Sequence, residues 1–270
     1  MPGGVVVCAF VDRNYRKLLS HWLELQARCS DAKPVIFCLD EDTAAVCDAS
    51  CVIHCLRPYS GDWLGFMSHQ MKITREILAL GFSPVIADVD ALWLRDPLPH
   101  VISHPQDMVF SPGTIQPLEA HAAWGNVLCT GFFLLRPTPA VFELVDAALP
   151  LIGKMGDQPA LNRVLAARGM RFSDDNLYSM PFRGYDVAQS RETRLGECGG
   201  LSAALLPNRL YQRLPEPDEP EPFIIHPIAP KVEADKIALF TELGLWRKSA
   251  QALVPSRPLR PVFPQARPQL

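Results

Sequence analysis

Short apolar runs alternate with longer amphipathic segments through the first part of the chain. Val5–Val11 is apolar throughout, which is typical of a strand that is covered on both faces. Three further runs predict three more strands, at residues 35–39, 51–56 and 85–87. The segments between them predict helices from their apolar spacing or their length, at residues 14–28, near 42–47 and at 63–80.

This order of strands and helices predicts a mostly parallel sheet, because each strand is joined to the next by a helix that crosses over. In such sheets, ligands bind beyond the carboxyl ends of the strands. The fourth strand runs directly into Asp88 and Asp90. These two carboxylates are therefore expected at the edge where a ligand would bind.

The second half of the chain has a less regular pattern. It predicts strands at residues 108–111, 127–135 and 223–226, and helices at residues 140–149, 158–168 and 234–243. Residues 215–222 alternate proline with acidic residues, and this pattern predicts an exposed loop. Residues 253–270 contain five prolines and three arginines with little periodicity, and we expect an extended or flexible tail there.

Composition limits the classes of function. With 48% hydrophobic and 20% charged residues, the chain can build a substantial core. Its net charge of −3, without a basic cluster in the main body, argues against nucleic acid as a partner. No apolar run approaches the roughly 20 residues of a membrane span. The first residues also lack the basic region of a signal peptide.

The cysteines favour a reducing compartment. There are eight at irregular spacings, and the absence of a Cys-x-x-Cys pair gives little support for a structural zinc site. Cys8, Cys38, Cys55 and Cys129 lie in apolar runs, where free cysteine behaves as a small buried hydrophobe. We therefore expect reduced thiols in a cytoplasmic protein. A membrane anchor upstream of this sequence is the alternative.

Asp88 and Asp90 point most directly to chemistry. Side chains alternate along an extended strand, so the two carboxylates are expected to point the same way and to repel each other. A hard divalent cation would relieve that repulsion, and Mg²⁺ or Mn²⁺ held by oxygen ligands usually also holds substrate phosphates. The alternative is a pair of solvated aspartates in a turn.

Three segments taken together resemble a known family: residues 85–97, residues 130–137 (Thr-Gly-Phe-Phe-Leu-Leu-Arg-Pro) and residues 157–162 (Asp-Gln-Pro-Ala-Leu-Asn). They are similar to the nucleotide-diphospho-sugar transferases, most of all to those of the glycosyltransferase family 77 type. A more distant similarity is to the family of glycogenin and bacterial galactosyltransferases. The resemblance covers residues 5–246.

This resemblance implies an α/β fold of the GT-A type. Its central sheet would be Rossmann-like, mostly parallel and flanked by helices, with a less regular half on the acceptor side. It also implies one domain over residues 1–250, in which residues 1–100 bind the nucleotide and residues 101–250 bind the sugar and the acceptor. Residues 251–270 would follow as a flexible proline-rich tail.

The resemblance also implies a metal site. In such enzymes an Asp-x-Asp pair and a histidine near the C-terminus hold Mn²⁺ or Mg²⁺ against the donor diphosphate. Asp88, Asp90 and His226 match these positions. The metal neutralises charge that grows on the leaving diphosphate, and a neutral imidazole completes the site without adding negative charge. The alternative for His226 is a strand-end histidine that bonds to backbone groups.

The resemblance further implies contacts to the donor from the first strand and the turn after it. There the backbone reads the base and an aromatic ring stacks on it. Tyr15 is the candidate for stacking, and Asn14 or Asp12 for polar contacts to uracil or ribose; packing and helix capping are the alternatives. The full set expected to contact the donor is Ala9, Phe10, Val11, Asn14, Tyr15, Lys72, Arg75, Asp88, Val89, Thr130, Gly131, Lys231 and Lys236.

Four cations in this set are candidates for the phosphates. Lys72 lies on the helix before the Asp-x-Asp pair, at the offset where related enzymes place a donor-contacting lysine. Arg75 shares that helix face approximately and could pair with the phosphates or with Asp96. Lys231 and Lys236 follow the predicted metal histidine at distances comparable to those of the family's phosphate lysine, without the same spacing. The alternative for each is a solvated residue at a helix start.

Asp157 and Gln158 are the candidate catalytic residues. In related retaining transferases, an aspartate here binds sugar hydroxyls, and the adjacent glutamine lies on the sugar face opposite the leaving group. Because glutamine is a poor nucleophile, we expect a front-face, oxocarbenium-like displacement in which the departing phosphate takes the acceptor proton. Gly131 would let the backbone approach the donor sugar closely. The alternative role for Asp157 is capping the next helix, which is compatible with sugar binding.

These residues predict a metal-dependent retaining glycosyltransferase, a hexosyl- or pentosyltransferase, that moves a sugar from a UDP-sugar to a hydroxyl acceptor. The acceptor class (glycan, protein or small molecule) stays open. The family commonly has an asparagine where this chain has Cys129, and its loss could change sugar selection or weaken activity. A nucleotide-sugar hydrolase and a non-catalytic binding module of the same fold are the alternatives. A haloacid-dehalogenase-type phosphatase is set aside, because Leu92 stands where that family needs a threonine or similar residue.

Overall fold

A computed structural model describes residues 4–50, 52–174, 176–216 and 221–246. The strands are β1 (Val5–Val11), β2 (Val35–Cys38), β3 (Ile53–Leu56), β4 (Ser83–Ala87), β5 (Leu92–Trp93), β6 (Met108–Pro112), β7 (Leu128–Leu135), β8 (Arg171–Phe172), β9 (Leu177–Phe182), β10 (Tyr185–Ser190), β11 (Arg194–Cys198), β12 (Leu201–Leu205), β13 (Tyr211–Gln212) and β14 (Ile224–Ile225). The helices are α1 (Arg16–Cys29), α2 (Glu41–Ser50), α3 (Trp63–Ala79), α4 (Leu98–Ser103), α5 (Leu118–Trp124), α6 (Pro139–Met155), α7 (Asp157–Ala167) and α8 (Glu233–Glu242).

Nine strands form one central sheet in the order β3-β2-β1-β4-β7-β6-β12-β11-β8. The first four are parallel to one another, and β7 and β11 run opposite to the rest. The predicted mostly parallel sheet is thus confirmed. Its two faces build two hydrophobic clusters, because alternate residues of β1, β4 and β7 point to opposite sides. Helix α1 covers one face, and α3, α6 and α7 cover the other.

The elements predicted for the first part of the chain are confirmed, with shifts at their ends. The helix predicted at residues 14–28 begins with a 3₁₀ turn at Arg13–Tyr15 and continues as α1. The stretch near residues 42–47 is the ten-residue helix α2. The run at 51–56 forms a strand from Ile53 onward, and Cys51 lies outside the described residues.

The second half contains elements that the sequence pattern missed. Helix α6 runs six residues beyond its predicted end and passes through Pro150. The helix continues because Ala148 and Ile152, on either side of that proline, are fully buried in the core. Strands β8 to β13 and the short helices α4 and α5 were not predicted, because short strands with mixed exposure give little periodicity.

Several sequence expectations fall partly or wholly outside the described residues. The acidic loop at 215–222 includes the undescribed residues 217–220, and the proline-rich tail at 251–270 lies entirely outside. Cysteines at seven described positions are free thiols. Across the described ranges, no helix has both the length and the hydropathy needed to cross a membrane.

Candidate functional site

The site begins where β4 ends beside β7. Ala87 is the last residue of β4 and pairs with Phe132, and the Asp88 N–H donates to the Gly131 carbonyl at 2.8 Å. The chain then turns, since the Ala91 N–H donates to the Asp88 carbonyl at 2.9 Å. The expectation that Asp88 and Asp90 share a face of an extended strand is therefore wrong in its geometry. A turn brings the two carboxylates to the site instead.

Short strands far apart in sequence bring His226 to this turn. β14 pairs antiparallel with β5, which begins two residues after Asp90, and Ile225 lies opposite Leu92. His226 comes next in the chain, and its Nε2 lies 3.3 Å from Asp90 Oδ1. Asp88, Asp90 and His226 each offer one possible ligand atom, and these three atoms lie within 4.8 Å of one another. We call these three residues the acidic-histidine trio.

Gly131 makes the close approach of the trio possible. A Cβ atom at this position would lie 2.1 Å from His226 Cε1 and 2.9 Å from Asp88 Oδ2. The pairing register of β6 with β7 also shifts here, passing from Phe133 to Cys129, so the strand bulges beside the site. Any side chain at position 131 would displace the imidazole or the carboxylate.

The two carboxylates of the trio differ electrostatically. Solvent reaches Asp88, yet the protein that encloses it, together with the Asp90 charge, raises the pKa of its carboxyl to about 7. Burial would raise the pKa of Asp90 as well, but His226 and Lys236 outweigh this and hold that pKa well below its usual range. Asp90 is therefore ionised and paired, whereas burial and, after it, repulsion by Asp90 disfavour the charged form of Asp88.

His226 is buried, and two charged side chains, Asp90 and Arg213, lie close to it. Burial and Arg213 would lower the pKa of its imidazole, but Asp90 and the bond to Cys129 together outweigh them and raise it to about 9. Arg213 donates from a guanidinium nitrogen to the His226 carbonyl at 2.9 Å. Burial raises the pKa of the Cys129 thiol, but Arg213 and His226 lower it by more, so that the pKa falls to about 6. Sequence reasoning missed Arg213, which stands in an irregular segment with no motif.

Lys236 reaches the trio from helix α8. Its ammonium bonds to Asp90 Oδ2, and the two side chains are only 12% and 10% exposed. The same ammonium lies over the Tyr15 ring, 5.4 Å from its centroid. The Tyr15 hydroxyl donates to the Lys231 carbonyl, and the Lys231 ammonium lies over the Trp63 ring at 5.4 Å. Lys236 and Tyr15 thus lie beside the trio, Lys231 contacts Tyr15 and Trp63, and the contacts of all three to a donor stay predictions.

The remaining predicted donor contacts from the first strand surround its carboxyl end. Ala9 and Val11 are buried, so their side chains serve the core. Phe10 stacks on Phe37 with ring centroids 4.6 Å apart. The Asn14 amide donates to Asp12 at 2.8 Å. Val89 is also buried, and a donor could meet it through backbone atoms alone.

Two predicted cations lie on helix α3. Arg75 makes a two-pronged ion pair with Asp146 on α6, at 2.5 and 2.9 Å, and not with Asp96. This pairing turns Arg75 toward the helix layer, so the structure does not bring it to the trio. Lys72 is exposed on the same helix, and its role in donor binding stays a prediction.

Asp157 and Gln158 begin helix α7. Asp157 is buried, and burial raises the pKa of its carboxyl to about 6 although the Gln158 N–H, at 2.7 Å, and the Thr130 side chain both bond to it. The Gln158 amide donates to the Gln116 carbonyl at 2.8 Å. Asp157 also raises the pKa of Asp88, which puts it within electrostatic reach of the trio.

Asn162 ties α7 to β7. It is fully buried, accepts from the Leu128 N–H, and donates to the Leu128 and Gln158 carbonyls, each at 2.8 Å. Asn162→Ala should destabilise the protein by at least about 2 kcal/mol, because each unpaired buried backbone group costs about 1–3 kcal/mol. Urea denaturation measures this change. An unchanged midpoint would contradict the role of Asn162 in fixing Asp157 beside the strand.

The donor atoms of the trio suit a hard divalent cation. Two carboxylates and one imidazole are ligands that Mn²⁺ and Mg²⁺ accept, and the missing side chain of Gly131 lets the imidazole and the Asp88 carboxylate come close together. The 4.8 Å limit on their separation is close to the span of about 4.2 Å between opposite ligands of Mg²⁺. The residues therefore fit such an ion once Lys236 releases Asp90.

Comparison with known proteins gives one family. The model of a family described as nucleotide-diphospho-sugar transferase matches residues 24–227, three quarters of the chain. A search among curated proteins finds no match. Among solved structures, the chain is similar to the galactosyltransferase LgtC in complex with donor and acceptor sugar analogues, with 13% identity, 58% of this chain and 69% of that chain covered, and a TM-score of 0.43. The family match and the mostly parallel sheet confirm the GT-A-type fold class that the sequence predicts.

Proposed function

Since the chain belongs to the nucleotide-diphospho-sugar transferase family, we propose that it is a metal-dependent, retaining glycosyltransferase that uses a UDP-sugar. The observation that carries the proposal is the acidic-histidine trio, whose members lie within 4.8 Å of one another beside Gly131. Asp88 and Asp90 sit at the carboxyl end of β4, where open α/β sheets bind their ligands.

We assign binding of the donor phosphates to the metal ion and to the cationic side chain beside the trio. Mn²⁺ or Mg²⁺ bound by the trio would neutralise charge on the donor diphosphate as the sugar leaves. The Lys236 ammonium, which is bonded to Asp90, would move to a phosphate oxygen when the Asp90 carboxylate binds the metal. Tyr15 and Lys231 hold the start of this segment near the first strand, so the ammonium stays within reach.

Sugar binding follows from the start of α7. Asp157, held by the Gln158 N–H and the Thr130 side chain, would accept hydrogen bonds from sugar hydroxyls. Gln158 is anchored to the Gln116 carbonyl and is a poor nucleophile, which favours front-face displacement over a covalent intermediate. In that scheme the acceptor hydroxyl attacks from the leaving-group side, and its proton passes to the departing phosphate.

Lys236→Met should change two affinities in opposite directions. Mn²⁺ should bind the nucleotide-free protein about tenfold more tightly, since the competing ammonium is gone, and UDP should bind about tenfold more weakly, each change being about 1.4 kcal/mol. Calorimetric titrations with Mn²⁺ alone and with UDP in excess Mn²⁺ measure both. Lys154→Met, which removes an exposed ammonium from α6, is the control. An unchanged or weaker Mn²⁺ affinity in Lys236→Met would rule out the exchange.

The transferase assignment is tested with a panel of UDP- and GDP-sugars, with and without hydroxyl acceptors. We expect sugar transfer that stops on chelation, returns with Mn²⁺, and gives a product whose NMR couplings show retained anomeric configuration. Fast, saturable sugar release without any acceptor would favour a hydrolase instead. Tight binding of Mn²⁺ and UDP without turnover of any donor would favour a binding module.

A further inference from the structure

The thiol of Cys129 lies against His226 on the side away from Asp90. Cys129 is 1% exposed, and its Sγ is 3.8 Å from His226 Nδ1. The other ring nitrogen, Nε2, lies 3.3 Å from Asp90 Oδ1. The imidazole is therefore held between a sulfur atom on one nitrogen and a carboxylate on the other.

The position of the sulfur is itself fixed. The Gly131 N–H donates to Cys129 Sγ at 3.4 Å, and both residues belong to β7. Gly131 also leaves the space that the imidazole fills, since a Cβ there would lie 2.6 Å from Nδ1. One short stretch of β7 thus gives the ring both its room and its hydrogen-bond partner.

A histidine that binds a metal through one nitrogen must keep its proton on the other, and the partner of that proton fixes the orientation of the ring. We infer that Cys129 is a positioning residue, whose sulfur accepts the Nδ1–H of His226 and thereby presents Nε2 to a metal shared with Asp88 and Asp90. This inference rests on the proposed metal-dependent function.

Three variants separate hydrogen bonding from packing. Cys129→Ala and Cys129→Val both remove the acceptor, and valine keeps the volume filled. Cys129→Ser keeps a hydrogen-bond acceptor at nearly the same place. We expect the Mn²⁺ dissociation constant, measured from the EPR signal of free aqueous Mn²⁺, to rise about 10–100-fold in the alanine and valine variants. The serine variant should stay close to the wild-type protein.

A second readout needs no metal. In ¹⁵N-histidine-labelled, metal-free protein, the Nδ1–H of His226 should be protected from exchange in the wild-type and Cys129→Ser proteins and unprotected in the alanine and valine variants. Its resonance is assigned by its loss in His226→Gln.

A third readout is kinetic. The KM for Mn²⁺ should rise in the alanine and valine variants, while kcat at saturating Mn²⁺ is largely kept.

The outcomes distinguish this inference from the proposed function. Wild-type affinity for Mn²⁺ in Cys129→Ala or Cys129→Val, or an affinity in Cys129→Ser as weak as theirs, would overturn the positioning role alone. Absence of turnover with every donor, together with the expected Mn²⁺ and NMR changes, would overturn the transferase and leave the positioning role standing. A wild-type protein that binds no Mn²⁺ would overturn both.

Discussion

Asp88→Asn is expected to abolish metal-dependent sugar transfer while leaving the fold at least as stable as in the wild-type protein. The substitution removes a metal ligand, so Mn²⁺ binding and turnover should both be lost. It also removes a carboxylate whose charged form is disfavoured first by burial and then by the charge of Asp90, which together raise its pKa to about 7. Transfer assays in Mn²⁺ and urea denaturation in chelator measure the two effects separately.

Two further variants serve as a control and a comparison for Asp88→Asn. Asp48→Asn removes an exposed carboxylate on α2 that pairs with His54, and it should leave turnover unchanged. Asp90→Asn should also abolish turnover, but it should destabilise the protein by about 3–5 kcal/mol, because it leaves buried His226 and Lys236 without their shared carboxylate. Turnover retained in Asp88→Asn would refute the metal assignment. Equal stability losses in Asp88→Asn and Asp90→Asn would refute the electrostatic contrast.

Gly131→Ala should be the most damaging methyl group that can be added to the site. The new Cβ would lie 2.1 Å from His226 Cε1, so the imidazole must turn away from the carboxylates. The effect is steric, since Gly131 is not among the glycines with positive φ and alanine tolerates its backbone. We expect loss of measurable Mn²⁺ binding and a fall in kcat/KM of at least about a thousandfold, near 4 kcal/mol of transition-state stabilisation.

Gly153→Ala is the matched control for that methyl group. Gly153 lies in helix α6, and nothing lies within 4 Å of the position its Cβ would take. Alanine should keep full activity and stabilise the helix by about 0.5–1 kcal/mol. If Gly131→Ala instead retained wild-type Mn²⁺ affinity, the packing of His226 against this backbone would not define the site.

The sequence predicted the part of the fold that periodicity can report. Val5–Val11 was predicted with its observed bounds, and the order of β1 to β4 and α1 to α3 followed from apolar runs and helical spacing. Strands β8 to β13 escaped, because each contains at least one polar or charged residue and none is a continuous apolar run. Helix α6 was cut short at Pro150, where burial of its neighbours outweighs the lost hydrogen bond.

The candidate site was predicted in its residues more than in its geometry. Asp88, Asp90 and His226 were expected together from a family resemblance, since no local pattern connects a turn after β4 with the residue after β14. The bond from Lys236 to Asp90, the contact of Cys129 with His226 and the place of Arg213 depend on tertiary packing. Arg75 was expected at the phosphates or with Asp96, but it pairs with Asp146 on another helix, and helical spacing cannot reveal such a partner.

The most direct test of the metal site is anomalous diffraction from crystals of the protein grown with Mn²⁺ and UDP. We expect one strong manganese peak in bonding contact with carboxylate oxygens of Asp88 and Asp90 and with His226 Nε2, and we expect Lys236 to have moved from Asp90 to the diphosphate. A manganese ion elsewhere, or one at the diphosphate with the His226 ring turned away from it, would contradict a metal site built from Asp88, Asp90 and His226.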